Sequence, residues 1–444
     1  MDYTLLSAIL IGIAVLLFLI LRLKIPAFIS LLIASILTGL IAGLDAEQII
    51  KTIQEGMGGT LGFVATVVGL GAIFGGILEH SGGANAIAAY LTKKMGTEKA
   101  PLAMLISGFV IAIPVFFDVA FIILIPVIYA IQRTTKKSLL LYAIPLLAGL
   151  AATHAFIPPT PGPIAVADII GADIGWVIAI GFMAGIPTVL ISGLVFGKYI
   201  AKKIHIDAPE AVSELKTSNL PSAKAIFAII AVPILLILIN SFVASDIISI
   251  SNGTVKNIIK LIGHPFSALI IANIIAWYSL GILRGVKSKD LLQITTKSMA
   301  PAGTIILLTG AGGVFKQVLV NTGGGKMLAE SLVDIGFPVL LFAFVTAALV
   351  RVIQGSATVA MITAAGLVAP LIINAGMDNA SLACLVISIA SGASIFSHVN
   401  DSGFWLVGQY LNLSEKDTFR SWSVMTTILA LCGFTMAVIL NSIL

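Results

Sequence analysis

Long apolar stretches dominate the chain, and they are of two kinds. Six are plain, at residues 4–21, 25–44, 174–200, 224–245, 263–283 and 421–443, each near the roughly 20 residues a helix needs to cross hydrocarbon. Six more, at 60–92, 101–131, 138–171, 299–333, 338–373 and 381–411, are interrupted by glycine, proline or polar clusters. The interruptions recur in matching order. Gly69-Leu-Gly-Ala-Ile-Phe74 followed by His80-Ser81-Gly82-Gly83 lines up with Gly310-Ala-Gly-Gly-Val-Phe315 followed by Asn321-Thr322-Gly323-Gly324, about 240 residues later. Pro26 pairs in the same way with Pro265, and Thr153-His154 with Ser397-His398. The chain reads as two copies of one unit, residues 1–203 and 223–444, joined by a polar cytoplasmic linker at 204–222 that carries Asp207, Glu210, Glu214 and Lys216.

Each copy is predicted to hold two crossings, a glycine-rich third, a re-entrant hairpin, a crossing broken at mid-depth and a last crossing. That is an odd number, so the second copy enters the bilayer inverted, which is the architecture of secondary transporters. The expected fold is therefore an all-α polytopic membrane protein with two inverted-topology repeats, re-entrant hairpins and broken helices. Charge supports this threading. With both termini outside, most of the 25 Lys and Arg, from Arg22 and Lys24 to Lys416 and Arg420, fall on inside loops. The outside loops keep only Lys51, Lys256 and Lys260, as the positive-inside rule requires. Lys316, Lys326 and Arg351 remain in or near the membrane.

Composition sharpens the class. Hydrophobic residues make up 59% and charged residues 10%, against about 45–50% and 25% in soluble domains, which excludes an ordinary soluble enzyme. The net charge of +5 first reports orientation and is no argument for nucleic acid. Cys384 and Cys432 sit in apolar stretches without metal-ligand spacing, so neither a disulfide framework nor a metal site is expected. The start, Met1-Asp2-Tyr3-Thr4, lacks the basic region of a cleaved signal and runs straight into the first crossing.

Backbone that leaves helical geometry at membrane depth must line a cavity or be buried in protein, because hydrocarbon cannot satisfy its N–H and C=O groups. Four such breaks point to the site: Pro114–Asp118, Thr153–Pro163, Gln354–Thr358 and Ser397–Gly403. Four prolines and Gly162 within residues 158–163 force an apolar segment open around Thr160, exposing helix ends whose N–H groups suit a carboxylate. Asp118 is the single charge between residues 100 and 132; a carboxyl there is costly when ionised and tends to take up a proton, so it is either a proton carrier or a helix cap. His154 and His398 hold matching positions, suggesting a shared central site. Asp401 is placed to orient His398, to accept hydrogen bonds from a hydroxylated ligand, or to cap a half-helix. Arg351, within an apolar run, offers a planar fork for a substrate carboxylate, or an ion-pair partner for Asp118 or Asp401. Glu79 is a weaker candidate. No phosphate loop, no His-Glu-x-x-His and no arginine-rich voltage-sensing helix occurs, so neither nucleotide hydrolysis nor an intramembrane metalloprotease is expected, and no cofactor.

Phe117-Asp118-Val119 with Pro126, then Thr153-His154-Ala-Phe-Ile-Pro-Pro-Thr-Pro-Gly-Pro163, then Arg351-Val-Ile-Gln-Gly-Ser-Ala-Thr-Val359 resemble, in order and over essentially the whole chain, the GntP family of gluconate permeases. The resemblance implies proton symport of gluconate or a related sugar acid at a bacterial inner membrane, with no enzymatic activity. It also implies inverted repeats, an elevator-like motion and a homodimer. Asp118 stands where the family commonly has Glu, and Thr160 where it commonly has His; relatives carry fructuronate, D-serine or glycerate. On this reading the substrate, a small sugar acid, meets Thr153, His154, Thr160, Gly162, Arg351, Gly355, Ser356, Thr358, Ser397, His398, Asn400 and Asp401. Protons couple through Asp118, His154 and Asp401. A sodium-coupled carrier, with Ser356 and Thr358 in an oxygen cage, is the alternative within the class, and a channel the alternative outside it. Gly69, Gly71, Gly310, Gly312 and Gly313 allow close helix contacts that slide or stay fixed.

Overall fold

Helices follow the apolar stretches and break where prolines cluster, as at 158–163, or where glycine takes a positive φ, as at Gly355, while single prolines such as Pro126 and Pro145 lie inside helices. The computed structural model describes residues 3–209, 220–244, 248, 250, 252–324, 338–372, 375–398 and 401–444, and every regular element among them is a helix. The first half contains α1 (Tyr3–Leu21), α2 (Ala27–Ile41), α3 (Ala46–His80) and α4 (Gly83–Met95). A hairpin of α5 (Ala100–Ile111) and α6 (Phe117–Thr135) follows, then a broken pair, α7 (Leu140–Phe156) and α8 (Pro161–Ile170), and then α9 (Ile174–Lys203). The second half repeats the series with α10 (Ala223–Ala244), the short α11 (Gly253–Ile262), α12 (Pro265–Arg284) and α13 (Ser288–Asn321). Its hairpin is α14 (Val339–Gln354) and α15 (Ala357–Ile372), its broken pair α16 (Asn379–Ser394) and α17 (Ser402–Tyr410), and α18 (Glu415–Ile443) ends the chain. Among the described residues, eight helical stretches are long and apolar enough to cross a bilayer.

The third helix starts earlier than hydropathy predicts. Polar residues Glu47, Gln48, Lys51, Gln54 and Glu55 hide its first turns from a hydropathy reading. A capping box at Asp45 nonetheless begins it: the Asp45 carboxylate accepts from the Gln48 N–H, while the Gln48 side chain accepts from the Asp45 N–H. At 35 and 34 residues, α3 and α13 are each about 50 Å long at 1.5 Å per residue, well beyond a ~30 Å hydrocarbon core. Lys51, expected on an outside loop, lies on the second turn of α3.

These two equivalent helices run antiparallel, side by side. Asn321 Nδ2 donates to Thr52 Oγ1 at 2.9 Å at one end, Gly56 meets Gly313 and Val314 about a turn further in, and Gly76 meets Ser298 towards the other end. Antiparallel equivalents are what a second copy inverted relative to the first requires. A Cβ on Gly56 would stand 2.6 Å from the Val314 Cα, so only glycine permits this approach. Of the glycines expected in close contacts, Gly310 and Gly313 lie in this seam, Gly312 packs on Ile362 of α15, Gly71 packs on Pro159 of the α7–α8 break, and Gly69 faces open space.

Hairpins and broken helices form the buried centre. Almost every residue of α7, α15 and α16 is buried, whereas α11 buries none. Each hairpin's first helix lies against the first half of the neighbouring broken helix through glycine: Gly108 and Gly149 between α5 and α7, and Gly392 against the Phe344 carbonyl between α14 and α16. The start of the linker is pinned rather than free, with the Leu139 N–H donating to the Ile206 carbonyl at 2.8 Å and Gln132 Nε2 to Asp207 Oδ1 at 2.8 Å. Glu210, Glu214, Lys216 and Lys326 lie outside the described residues.

Gly56→Val should force α3 and α13 apart at a cost of about 1–3 kcal/mol, the usual penalty of overpacking. Thermal unfolding in detergent should show the loss, while Gly59→Val, where an added Cβ meets nothing within 4 Å, should leave the midpoint almost unmoved.

Candidate functional site

The breaks predicted from proline and glycine are all present, and three of them surround one cavity. The α5–α6 hairpin turns through residues 112–116, and α6 begins at Phe117 without a side-chain cap. The α7–α8 break spans 157–160 and ends where Pro161 enters the first turn of α8, the position at which a missing N–H costs nothing. Gly355, at φ +92°, ends α14 in the left-handed conformation that L side chains avoid. There the Gln354 side chain accepts from the Ser356 N–H at 3.0 Å and closes the second hairpin turn.

Between these ends lies a cavity of about 480 Å³. Seven of the predicted residues line it: Asp118, His154, Arg351, Gly355, Ser356, Thr358 and Asp401. The N-termini of α6, α15 and α17 all open on it, through Phe117-Asp118, Ser356-Ala357-Thr358 and Ser402-Gly403. Asp118 occupies the first turn of α6 rather than its cap, where its carboxyl complements the helix dipole.

Arg351 is buried and its fork is occupied. One guanidinium nitrogen donates to the Gly355 carbonyl and the other pairs with the Asp401 carboxylate, while Nε has no partner among the described residues. Asp401 is also the N-cap of α17, accepting from the Gly403 N–H at 3.0 Å, and it accepts from the Ser397 hydroxyl. Ser397 in turn accepts from Trp422 Nε1 at 2.6 Å, and its N–H donates to Thr426 Oγ1 at 3.1 Å. One chain of hydrogen bonds thus ties the second hairpin, the second break and α18. Of the two expected roles for Arg351, the structure displays the ion pair, with Asp401 rather than Asp118 as partner. Of the expected roles for Asp401, it displays the cap and not the orientation of His398, whose Nε2 lies 2.7 Å from the Val352 carbonyl.

The remaining predicted residues stand off the cavity wall. Thr153 is buried on the other side of α7, and its hydroxyl has no partner among the described residues. The Thr160 hydroxyl donates back to the Ile157 carbonyl at 2.6 Å, and Gly162 lies behind Met361. Ser397 acts through Asp401, and His398 packs beside Phe396, so only one histidine of the matched pair reaches the cavity. Asn400 lies outside the described residues. Glu79 sits at the end of α3 in a separate cavity, and Lys316 lies within α13, where it interacts electrostatically with Asp168 of α8. Phe116 and Gln354, which lie in two of the breaks singled out from sequence, also line the main cavity, as do Ser394, Trp422 and Thr426, which the sequence reading left out. The signal for the last two was the polar run Ser421-Trp422-Ser423 and Thr426-Thr427 at the head of a stretch otherwise read as a plain crossing.

Comparison with known proteins supplies the family. The profile described as "GntP family permease" matches residues 4–443. The chain belongs to the GntP permease family. It is 40% identical over 424 residues to the low-affinity gluconate transporter of Escherichia coli (strain K12), covering 95% of each chain. It is 39% identical over 447 residues to the gluconate permease of Pseudomonas aeruginosa, covering 100% of this chain and 98% of the relative. In fold it is similar to the YdaH transporter of Alcanivorax borkumensis, with TM-score 0.67 and 15% identity, covering 94% and 97% of the two chains. As a GntP-family permease it is a multi-pass membrane transporter of a family with bacterial members, not an enzyme.

Removing Asp401 leaves the Arg351 charge buried and unpaired. Asp401→Ala should therefore cost about 3–5 kcal/mol, and adding Arg351→Met should restore much of that loss. Unfolding of the two single variants and the double variant in detergent checks the coupling; additive losses would show that the pair does not stabilise this region.

Proposed function

We propose that this permease imports gluconate or a closely related sugar acid together with protons. The observation that carries the reading is the convergence of helix N-termini and one membrane-depth carboxyl, Asp118, on a single cavity of about 480 Å³. Its size suits a small ligand, since pockets for such ligands run about 300–1,000 Å³. The relatives named for gluconate support that choice of substrate.

The chemistry follows from charge. The N–H groups at the starts of α6 and α15 meet the substrate carboxylate, because helix N-termini carry partial positive charge. Arg351, already paired, adds its field from behind the Gly355 turn. Ser356, Thr358 and His154 read the hydroxyls, and Asp401 holds Arg351 and the α17 cap in place. An ionised Asp118 would repel the substrate carboxylate across the cavity, so the loaded carrier requires a proton on Asp118, and substrate and proton travel together. Two inverted repeats, about 1–203 and 223–444, rock or slide against each other at the glycine faces of α3 and α13. Both termini lie on the periplasmic side of a bacterial inner membrane, and two copies form the working unit.

Proteoliposomes containing the purified protein, free of sodium and with an acid-outside gradient, should accumulate labelled gluconate until a protonophore is added. Accumulation that needs sodium instead would replace the proton, and no accumulation of gluconate would withdraw it as substrate. Asp118→Asn should abolish accumulation driven by the pH gradient while sparing gluconate exchange at equilibrium; retained accumulation would remove Asp118 from coupling. Arg351→Lys keeps the charge and loses the fork, so it should weaken apparent gluconate affinity and thermal stability together.

A further inference from the structure

A second cavity, of about 320 Å³, lies between the hairpin turn at Pro114–Phe116 and the ends of two long helices, α3 and α13. Its charged lining is Glu79 and His80 from α3 and Lys297 from α13. It opens at the end of α3, the membrane face predicted to be cytoplasmic. The hairpin turn separates it from the main cavity: Val119 lines the second, its neighbour Asp118 lines the main one, and Phe116 lines both. Phe116 also walls a third space of about 10 Å³ beside Thr160, room for about one water, and its ring sits 6.2 Å from that of His154.

We propose that this second cavity is the passage between the substrate site and the membrane face at which α3 ends, and that Phe116 is the barrier across it. The inference rests on the carrier reading above and adds the route. Phe116 is the N-cap of α6, its backbone extended at φ −59° and ψ 144° and its carbonyl accepting from the Ala120 N–H at 2.9 Å, so its ring turns about the side-chain torsions alone. The turn behind it is held fast: Pro114 is seated so closely on α3 that a Cβ on Gly75 would lie 2.1 Å from the Pro114 carbonyl. A side chain turning on a fixed backbone is a barrier that opens without dismantling the hairpin. The lining matches the cargo as well. Lys297 offers a cation to the departing carboxylate, and Glu79 offers a base to the proton that leaves Asp118.

The test reads accessibility rather than transport. In a background with Cys384 and Cys432 replaced by serine, Ile294→Cys in the passage should react with a membrane-impermeant thiol reagent from the α3-end face only. Thr358→Cys in the main cavity should resist the reagent from that face. Adding Phe116→Ala, or the milder Phe116→Leu, should make Thr358→Cys react from that face at least an order of magnitude faster. Lys297→Gln should raise the gluconate concentration that half-saturates transport starting from that face and leave the half-saturating concentration at the opposite face unchanged. Equal labelling of Thr358→Cys with Phe116 intact and removed, or labelling of Ile294→Cys only from the opposite face, would overturn the proposal. Failure of the parent protein to carry gluconate would overturn the substrate assignment alone, since the labelling pattern does not depend on which solute moves.

Discussion

Everything in this fold turns on where backbone hydrogen bonds go once a helix stops inside a membrane. Lipid offers them no partner, so each interruption must be covered by protein or opened on a polar cavity. Among the described residues the helices are interrupted at 112–116, 157–160 and 355–356 and, in a fourth place, at 395–398 and 401. The first, third and fourth open on one cavity, while the second is buried behind α7, where Thr160 bonds to its own turn and Pro159 rests on Gly71. A cavity of this kind is a consequence of the breaks before it is a binding site. The helix N-termini collected there carry partial positive charge, which suits an anion.

The two halves share a plan but not a chemistry. At the first hairpin the cavity receives a lone carboxyl, Asp118; at the second it receives a buried cation whose charge is answered by Asp401 and whose fork closes on the Gly355 turn. Burying a pair costs desolvation that its attraction barely repays, so stability alone gives little reason to keep one. Its value here is positional, since Arg351, Asp401, Ser397 and Trp422 link three elements in one chain of hydrogen bonds. The asymmetry leaves Asp118 outside the hydrogen-bond chain that ties Arg351, Asp401 and Ser397 together.

The positions of the breaks were legible from sequence because the effects of clustered proline and of a left-handed glycine are local: Pro158 and Pro159 remove two successive N–H donors, Pro161 suits the first turn of a new helix and Gly355 takes a positive φ, whereas single prolines such as Pro126 and Pro145 stay inside helices. The repeat was legible for the same reason, and the odd number of crossings implied an inversion that the antiparallel seam of α3 and α13 displays. The start of α3 was not, because Glu47, Lys51 and Glu55 lower hydropathy while leaving helix propensity intact. Trp422 and Thr426 were hidden by the apolar stretch that follows them.

By itself, then, the sequence determined the class, the repeat, the points at which helices break and the few polar residues that membrane depth makes costly, all of which follow from composition and local backbone chemistry. Only the tertiary structure decided which of those residues share a cavity. Asp118, His154 and Arg351 come from three separate elements and meet; Thr153 and Thr160, adjacent to His154 or within one break of it, do not. The reason is geometric: neighbours on a helix point in different directions, and which direction faces the centre is fixed by the packing of glycines such as Gly71, Gly149 and Gly392 against distant backbone.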